Sequence, residues 1–201
     1  MGTQVLLDIM GSMFIGGVLI LTLQRVNQET VAQFYYYSSD FILQRSLIDM
    51  VEILENDLKR IGYTANPMLI PTPTEAIRAA DTSSIRFVGD VDADGTVDTI
   101  NYSISATSAV ANTKNPRDRI LYKRINSGSQ FIISANVTRF RFDYFNALGQ
   151  SIATPIPSNE TGEIATIQLS VEVESPDAFD DNYAQAYWRQ VRLAAKNLRN
   201  R

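Results

Sequence analysis

The sequence predicts an α+β protein: a long N-terminal helix over residues 1–62, packed on an antiparallel β-rich head over residues 63–201. Three observations predict it. No charged residue lies between Asp8 and Arg25, and neither Gly nor Pro occurs from Val18 through Ile61. After Gly62 the spacing of apolar residues changes from three-and-four to two, which marks a switch from helix to strand. Helix period and strand period therefore occupy separate parts of the chain, the arrangement expected when helices and an antiparallel sheet form distinct layers.

The helix begins with a nearly uninterrupted apolar run, Ile9–Leu23, broken only by small and hydroxyl residues. Residues 4–24 reach the roughly 20 residues that span a bilayer, with Asp8 as their one charge. No basic leader and no small-residue cleavage site are visible around this run, so it reads as retained rather than removed. A buried core helix is the competing explanation, but nothing downstream complements so apolar a segment. Beyond the span, Leu43, Leu47, Val51, Leu54, Leu58 and Ile61 recur by three and four and form one packed face. Asp49, Glu52, Glu55 and Asp57, followed by Lys59 and Arg60, fill the other side. Gly62 suits the C-terminal cap, with Asn66-Pro67 just beyond. At 1.5 Å per residue the helix from Gln4 to Ile61 would run roughly 85 Å.

Between the two halves lie Phe34, Tyr35, Tyr36 and Tyr37. Successive helical residues turn by about 100°, so four consecutive aromatics cover most of the circumference and one packed face cannot bury them all. Either they form an interfacial aromatic belt or other helices surround this one.

The head opens with a Pro-rich connection, Asn66–Thr74, and a short helix expected over Glu75–Ala80. Strands are expected over Ser84–Val88, Thr99–Ser105, Ile120–Ile125, Gln130–Ile133, Val137–Phe145, Ile164–Glu174 and Tyr187–Leu193. Two alternate strictly. Phe140, Phe142 and Tyr144 oppose Arg139, Arg141 and Asp143; Ala165 through Val173 oppose Thr166, Gln168, Ser170, Glu172 and Glu174. Such strands have one face on a core and one in water, and the stripe Leu43–Ile61 supplies the missing cover.

Composition narrows the function. The 201 residues include no cysteine and no histidine, with 18 Lys+Arg against 22 Asp+Glu. Without Cys there is no disulfide scaffold, thiolate metal site or thiol nucleophile. Without His the commonest general base is absent, and a net charge of −4 without a basic cluster argues against nucleic acid. No serine has a histidine partner, and no Gly-rich phosphate loop exists. The chain reads as structural or binding, not as an enzyme.

Taken together, the apolar N-terminal helix interrupted early by Asp8, its amphipathic continuation, and Leu54-Glu-Asn-Asp-Leu-Lys-Arg-Ile-Gly-Tyr63 resemble the type IV pilin and type II secretion pseudopilin superfamily. Asp57, Arg60, Gly62 and Tyr63 match the Asp-x-x-Arg-x-x-Gly-Tyr-like stretch that ends the helix in minor pilins, with one fewer residue between arginine and glycine. The segment Tyr187–Leu198 is similar to the last strand of those proteins. The resemblance implies a subunit stored in the inner membrane through its helix. Assembly with other pilin-like subunits would then build a cell-surface filament or periplasmic pseudopilus whose core is helical. For Asp8 it implies pairing with the N-terminal amine of a neighbouring subunit. The plainer alternative is an acid near enough to the end of the helix to reach the headgroups, which avoids the ~2.5–3.5 kcal/mol cost of a central one.

The sharpest chemical motif is Asp90-Val-Asp92-Ala-Asp94-Gly95-Thr96-Val-Asp98. Carboxylates at positions one, three, five and nine with glycine at six open a calcium loop, and Thr96 stands where a backbone carbonyl ligates. Position twelve is Asn101 rather than a bidentate glutamate, and strands flank the loop; an Asp/Gly hairpin turn is the alternative. Lys114–Arg119 with Lys123 and Arg124 reads as a solvated loop and strand face. Asp177, Asp180 and Asp181 read as a solvated loop after Pro176. The expectation is a minor pilin or pseudopilin-like filament subunit with calcium as a candidate ligand. Its rival is a membrane-anchored, calcium-dependent binding module that does not polymerise.

Overall fold

The computed structural model describes residues 2–70, 72–110, 113–176 and 183–194. The chain is α+β, with a long N-terminal helix and an eight-stranded antiparallel sheet. It forms two compact units, 1–41 and 42–201. Helix α1, Gly2–Lys59, is continuous by backbone hydrogen bonding, supplies the whole described part of the first unit and opens the second.

In the first unit the helix has no core of its own. Val5, Leu6, Leu7, Ile9, Met10, Phe14, Leu19 and Leu23 are all exposed. The only polar side chains between Ile9 and Leu23 are Ser12 and Thr22, and both turn inward on the backbone. Ser12 Oγ donates to the Ile9 carbonyl at 2.9 Å and Thr22 Oγ1 to the Val18 carbonyl at 2.8 Å. Hydroxyls satisfied this way add little polarity to an apolar helix.

In the second unit the same helix is amphipathic. Leu43, Leu47, Met50, Val51, Leu54 and Leu58 are buried against the sheet, while Asp49 and Glu52 face water. The helix ends at Lys59, two residues before the expected Ile61. Arg60 and Ile61 turn with amides bonded to the carbonyls of Asp57 and Leu58, and Gly62 takes φ 68°, the left-handed conformation that glycine adopts without strain. Asp57, expected on the solvated side, is instead buried.

The sheet runs β1 (Ile77–Ala80), β2 (Ser84–Gly89), β3 (Asp98–Ile104), β4 (Arg119–Ile125), β5 (Gln130–Phe145), β7 (Thr166–Glu174) and β8 (Gln185–Ala194), with β6 (Ser151–Ile152) on β5. Every pairing is antiparallel. Two sequence expectations are corrected. Glu75–Ala80 is not one helix: α2 covers only Pro73–Ala76, and Ile77–Ala80 becomes an edge strand because Ile77 and Ala80 bury against the core. Gln130–Ile133 and Val137–Phe145 are one 16-residue strand, whose register shifts near Ser134 and Val137 absorb the polar interruption.

The sheet curls. β4 uses one edge of β5 as far as Val137, and beyond it the backbone of the β1–β2 turn moves in: Phe142 donates its amide to the Thr82 carbonyl at 2.8 Å. Tyr144 Oη donates to the Asp81 carbonyl at 2.9 Å, and Ile156 bridges to Ala80. Within the curl Phe87, Ile100, Tyr102, Leu121, Phe142, Tyr144, Leu169 and Val171 close on the helix stripe as one core. The opposite face of β7 is not in water as its alternation suggests. Gln168 and Ser170 are buried, lining a depression with Arg139, Arg141, Asp143 and Tyr187 from the neighbouring strands. Long polar side chains on β5 and β8 shield this face of β7.

Candidate functional site

Two features carry chemistry: the uncovered helix of the first unit and the acidic loop of the second. Asp8 is exposed on the first turns of α1. Phe34, Tyr35 and Tyr37 are strongly exposed and Tyr36 less so, at 38 %. Within the first unit nothing covers the apolar side chains from Val5 to Leu23, a length and composition sufficient to cross a membrane. Such a helix suits membrane anchoring or a signal sequence, and equally packing against other helices in a filament.

The acidic loop joins β2 to β3. Oxygens of Asp90, Asp92 and Asp94 lie within 4.8 Å of one another, a cluster that can take a metal such as calcium. Local backbone chemistry brings them together. Ala93 at φ 64° and Gly95 at φ 87° reverse the chain. Asp92 Oδ1 accepts the Asp94 amide at 3.2 Å, and Asp90 Oδ2 accepts the Gly95 amide at 3.1 Å. Asp94 Oδ1 accepts both the amide and the hydroxyl of Thr96, at 2.7 and 2.6 Å, and these bonds hold its carboxyl below the usual carboxylate range. Asp92 and Asp94 are exposed. Asp90 is only 2 % exposed, and its Oδ1 has no hydrogen-bond partner among the described residues. A buried carboxylate oxygen left without a donor is costly, and a cation would satisfy it.

Asp98, the fourth acid of the motif, is engaged elsewhere. Its Oδ1 accepts Asn126 Nδ2 at 2.7 Å, while the Asn126 side chain and backbone also bond Thr99. Thr96 is exposed next to Asp94. Three carboxylates thus converge, and the fourth fastens the loop to the β4–β5 turn.

The end of the helix abuts this loop. Gly62 donates its amide to the Val88 carbonyl, and Asp90 donates its amide to the Tyr63 carbonyl, both at 2.8 Å; Arg60 Nη1 donates to the Val91 carbonyl. The helix-ending motif read from the sequence therefore fastens the helix to the strand that leads into the acids. Gly89 is required for this approach, since a Cβ there would sit 2.3 Å from the Arg60 carbonyl oxygen.

One turn earlier, Asp57 Oδ2 accepts the Tyr102 hydroxyl at 2.5 Å and pairs with Lys123 Nζ at 2.5 Å, both on the sheet. Burial, with the Asp57 charge and hydrogen bond, pushes the Tyr102 hydroxyl far above the usual phenol range, so it remains a donor. This corrects the expectation for Lys123, whose side chain lies mostly out of water. The Lys114–Arg119 stretch is corrected likewise. Asn115 and Asp118 are buried, and Arg117 Nη2 pairs with the buried Glu174 at 2.6 Å. Neither Tyr102 nor Asn126 was identifiable from spacing, because each acts through a partner 27 or more residues away. Asp177, Asp180 and Asp181 lie outside the described residues.

The architecture is pilin-like, an apolar N-terminal helix whose later part packs on an antiparallel sheet. Sought among known protein families the chain has no match, and no curated protein matches it.

Proposed function

We propose that this chain is a structural, non-enzymatic subunit of a pilin-like filament. It would be held in the inner membrane through residues 4–24 and then drawn into a surface filament or secretion pseudopilus whose core is that helix. One observation carries the reading: in the first unit every large apolar side chain from Val5 to Leu23 is exposed. A single Leu or Phe gains about 1.5–3 kcal/mol on full burial, so so long a stripe requires lipid or neighbouring helices. The helix-ending motif and the sheet head favour a minor or pseudopilin-like role, and the lack of His and Cys is in keeping with assembly rather than catalysis. Asp8, one charge in an otherwise apolar run, would pair with the terminal amine of an adjacent subunit and set the stagger between helices.

Calcium is the proposed ligand of Asp90, Asp92 and Asp94. That triad also favours a second reading, a membrane-anchored, calcium-dependent binding module that does not polymerise. Electron microscopy of sheared surface material, with mass spectrometry for this chain, separates the two. Filaments that contain the chain support the first; a strictly monomeric, membrane-retained protein overturns it. Asp8→Ala should reduce incorporation into filaments, and normal incorporation would remove the pairing role of Asp8.

A further inference from the structure

Cation occupancy of the acidic loop, we infer, controls how firmly the end of α1 is fastened to the sheet, so that calcium acts as a clasp on the turn Arg60–Tyr63; this rests on the calcium reading of Asp90, Asp92 and Asp94. The site has two supports. Three carboxylates have oxygens within 4.8 Å of one another, and one of them, Asp90, is almost fully buried with Oδ1 unpartnered among the described residues. The cluster alone is a common surface feature. The buried orphan oxygen is not, because it forgoes a hydrogen bond that water would supply.

The clasp follows from where Asp90 sits. Its side chain belongs to the triad, and its amide holds the Tyr63 carbonyl. The next residue, Val91, offers its carbonyl to Arg60, and Val88, two residues before, receives the Gly62 amide. Residues 88–91 thus link cation ligand and helix end within one short stretch of backbone. On the far side Asp98 and Thr99 are tied to Asn126, which fixes the second limb of the loop. An empty triad places three like charges together and drives its limbs apart. A bound cation reverses that force, and through Asp90 the change reaches the stretch of backbone that grips the helix.

The ligand set also indicates the affinity class. With Asp98 committed to Asn126, three carboxylates remain, and carbonyl and water oxygens must complete the six to eight that calcium takes. Fewer charged ligands weaken binding, which points to the extracellular class with Kd about 0.1–1 mM.

The test uses the full chain in non-ionic detergent micelles. Isothermal titration with calcium chloride gives the Kd, and hydrogen exchange is then compared in EGTA and at ten times that Kd. If opening of the turn requires cation release, exchange at the Gly62 and Asp90 amides slows by one plus the ratio of ligand to Kd, about tenfold. The Phe142 and Leu169 amides serve as internal references and should not change. Asp92→Asn and Asp94→Asn alter exposed side chains, should leave the fold intact, and should weaken binding at least tenfold while abolishing the slowing. Calcium that binds without slowing Gly62 and Asp90 overturns the clasp and leaves the site standing. No calcium heat up to millimolar concentrations, or binding that survives both substitutions, overturns the site and the clasp with it.

Discussion

Replacing Asp57 with leucine should test how the helix is held to the sheet. Asp57 is nearly buried and its Oδ2 serves two partners, the Tyr102 hydroxyl and the Lys123 ammonium, each at 2.5 Å. Leucine offers no acceptor and strands both. Tyr102 is fully buried, so its hydroxyl loses its acceptor at about 1–3 kcal/mol. The Lys123 side chain is only 15 % exposed, and breaking such a pair by removing one member costs about 3–5 kcal/mol. The two costs overlap, because both groups relax towards the same gap, so we expect a total loss of about 4 kcal/mol. Urea unfolding of the full chain in detergent, followed by the fluorescence of Trp188 on β8, reads this directly. With a slope of about 2 kcal/mol per molar, the midpoint should fall by about 2 M. Replacing all three groups together, Asp57→Leu with Tyr102→Phe and Lys123→Met, should bring the midpoint back to within about 0.5 M of wild type, since an apolar trio leaves nothing unpaired. A single variant that loses less than about 1 kcal/mol, or a triple variant no better than the single one, would refute the argument.

Two further outcomes follow from the same geometry. Gly89→Ala places a Cβ 2.3 Å from a backbone oxygen that cannot swing aside, so the helix end must lift from β2; a destabilisation of about 1–3 kcal/mol is expected in the same urea assay, and an unchanged midpoint would contradict it. Asp118 is buried with neither carboxylate oxygen hydrogen-bonded among the described residues, and burial raises its carboxyl above the usual 3.8. The folded state thus holds that proton more tightly than the unfolded chain, and the penalty is absent below pH 3.8 and complete above the folded value. Asp118→Asn should therefore be more stable than wild type near neutrality, with the gap closing as the pH falls; a gap that does not vary with pH would count against it.

What the sequence shows of this fold depends on how local the cause is. The charge-free run, the stripe Leu43–Leu58 and the alternation of Phe140, Phe142 and Tyr144 are periodic, and periodicity is written in consecutive residues. Glu75–Ala80 was misread because Glu, Ala and Arg are strong helix formers, whereas burial of Ile77 and pairing with β2 decide its state. The buried polar face of β7 was misread for a related reason: alternation assumes that the second face meets water, and here Arg139, Arg141 and Tyr187 stand over it. At the acidic loop the order of the acids was visible, but the diversion of Asp98 was not, since Asn126 lies beyond two strands in the chain. Lys123 beside Arg124 looked like a surface pair for want of any sign that Asp57 waits 66 residues earlier.

The order of elements along the chain sets the order in which the protein can be completed during synthesis. Leu43, Leu47, Leu54 and Leu58 leave the ribosome before any strand that covers them. From β1 to β5 each strand pairs with its predecessor, so the meander can grow hairpin by hairpin, but Leu169, Val171 and Val173 arrive only with β7. For the time needed to make roughly a hundred residues, several seconds at ordinary elongation rates of about 5–20 residues per second, the nascent chain carries an uncovered apolar face. A chain whose first segment is already lodged in a bilayer passes that interval tethered apart from its neighbours, which limits aggregation while the last strands emerge.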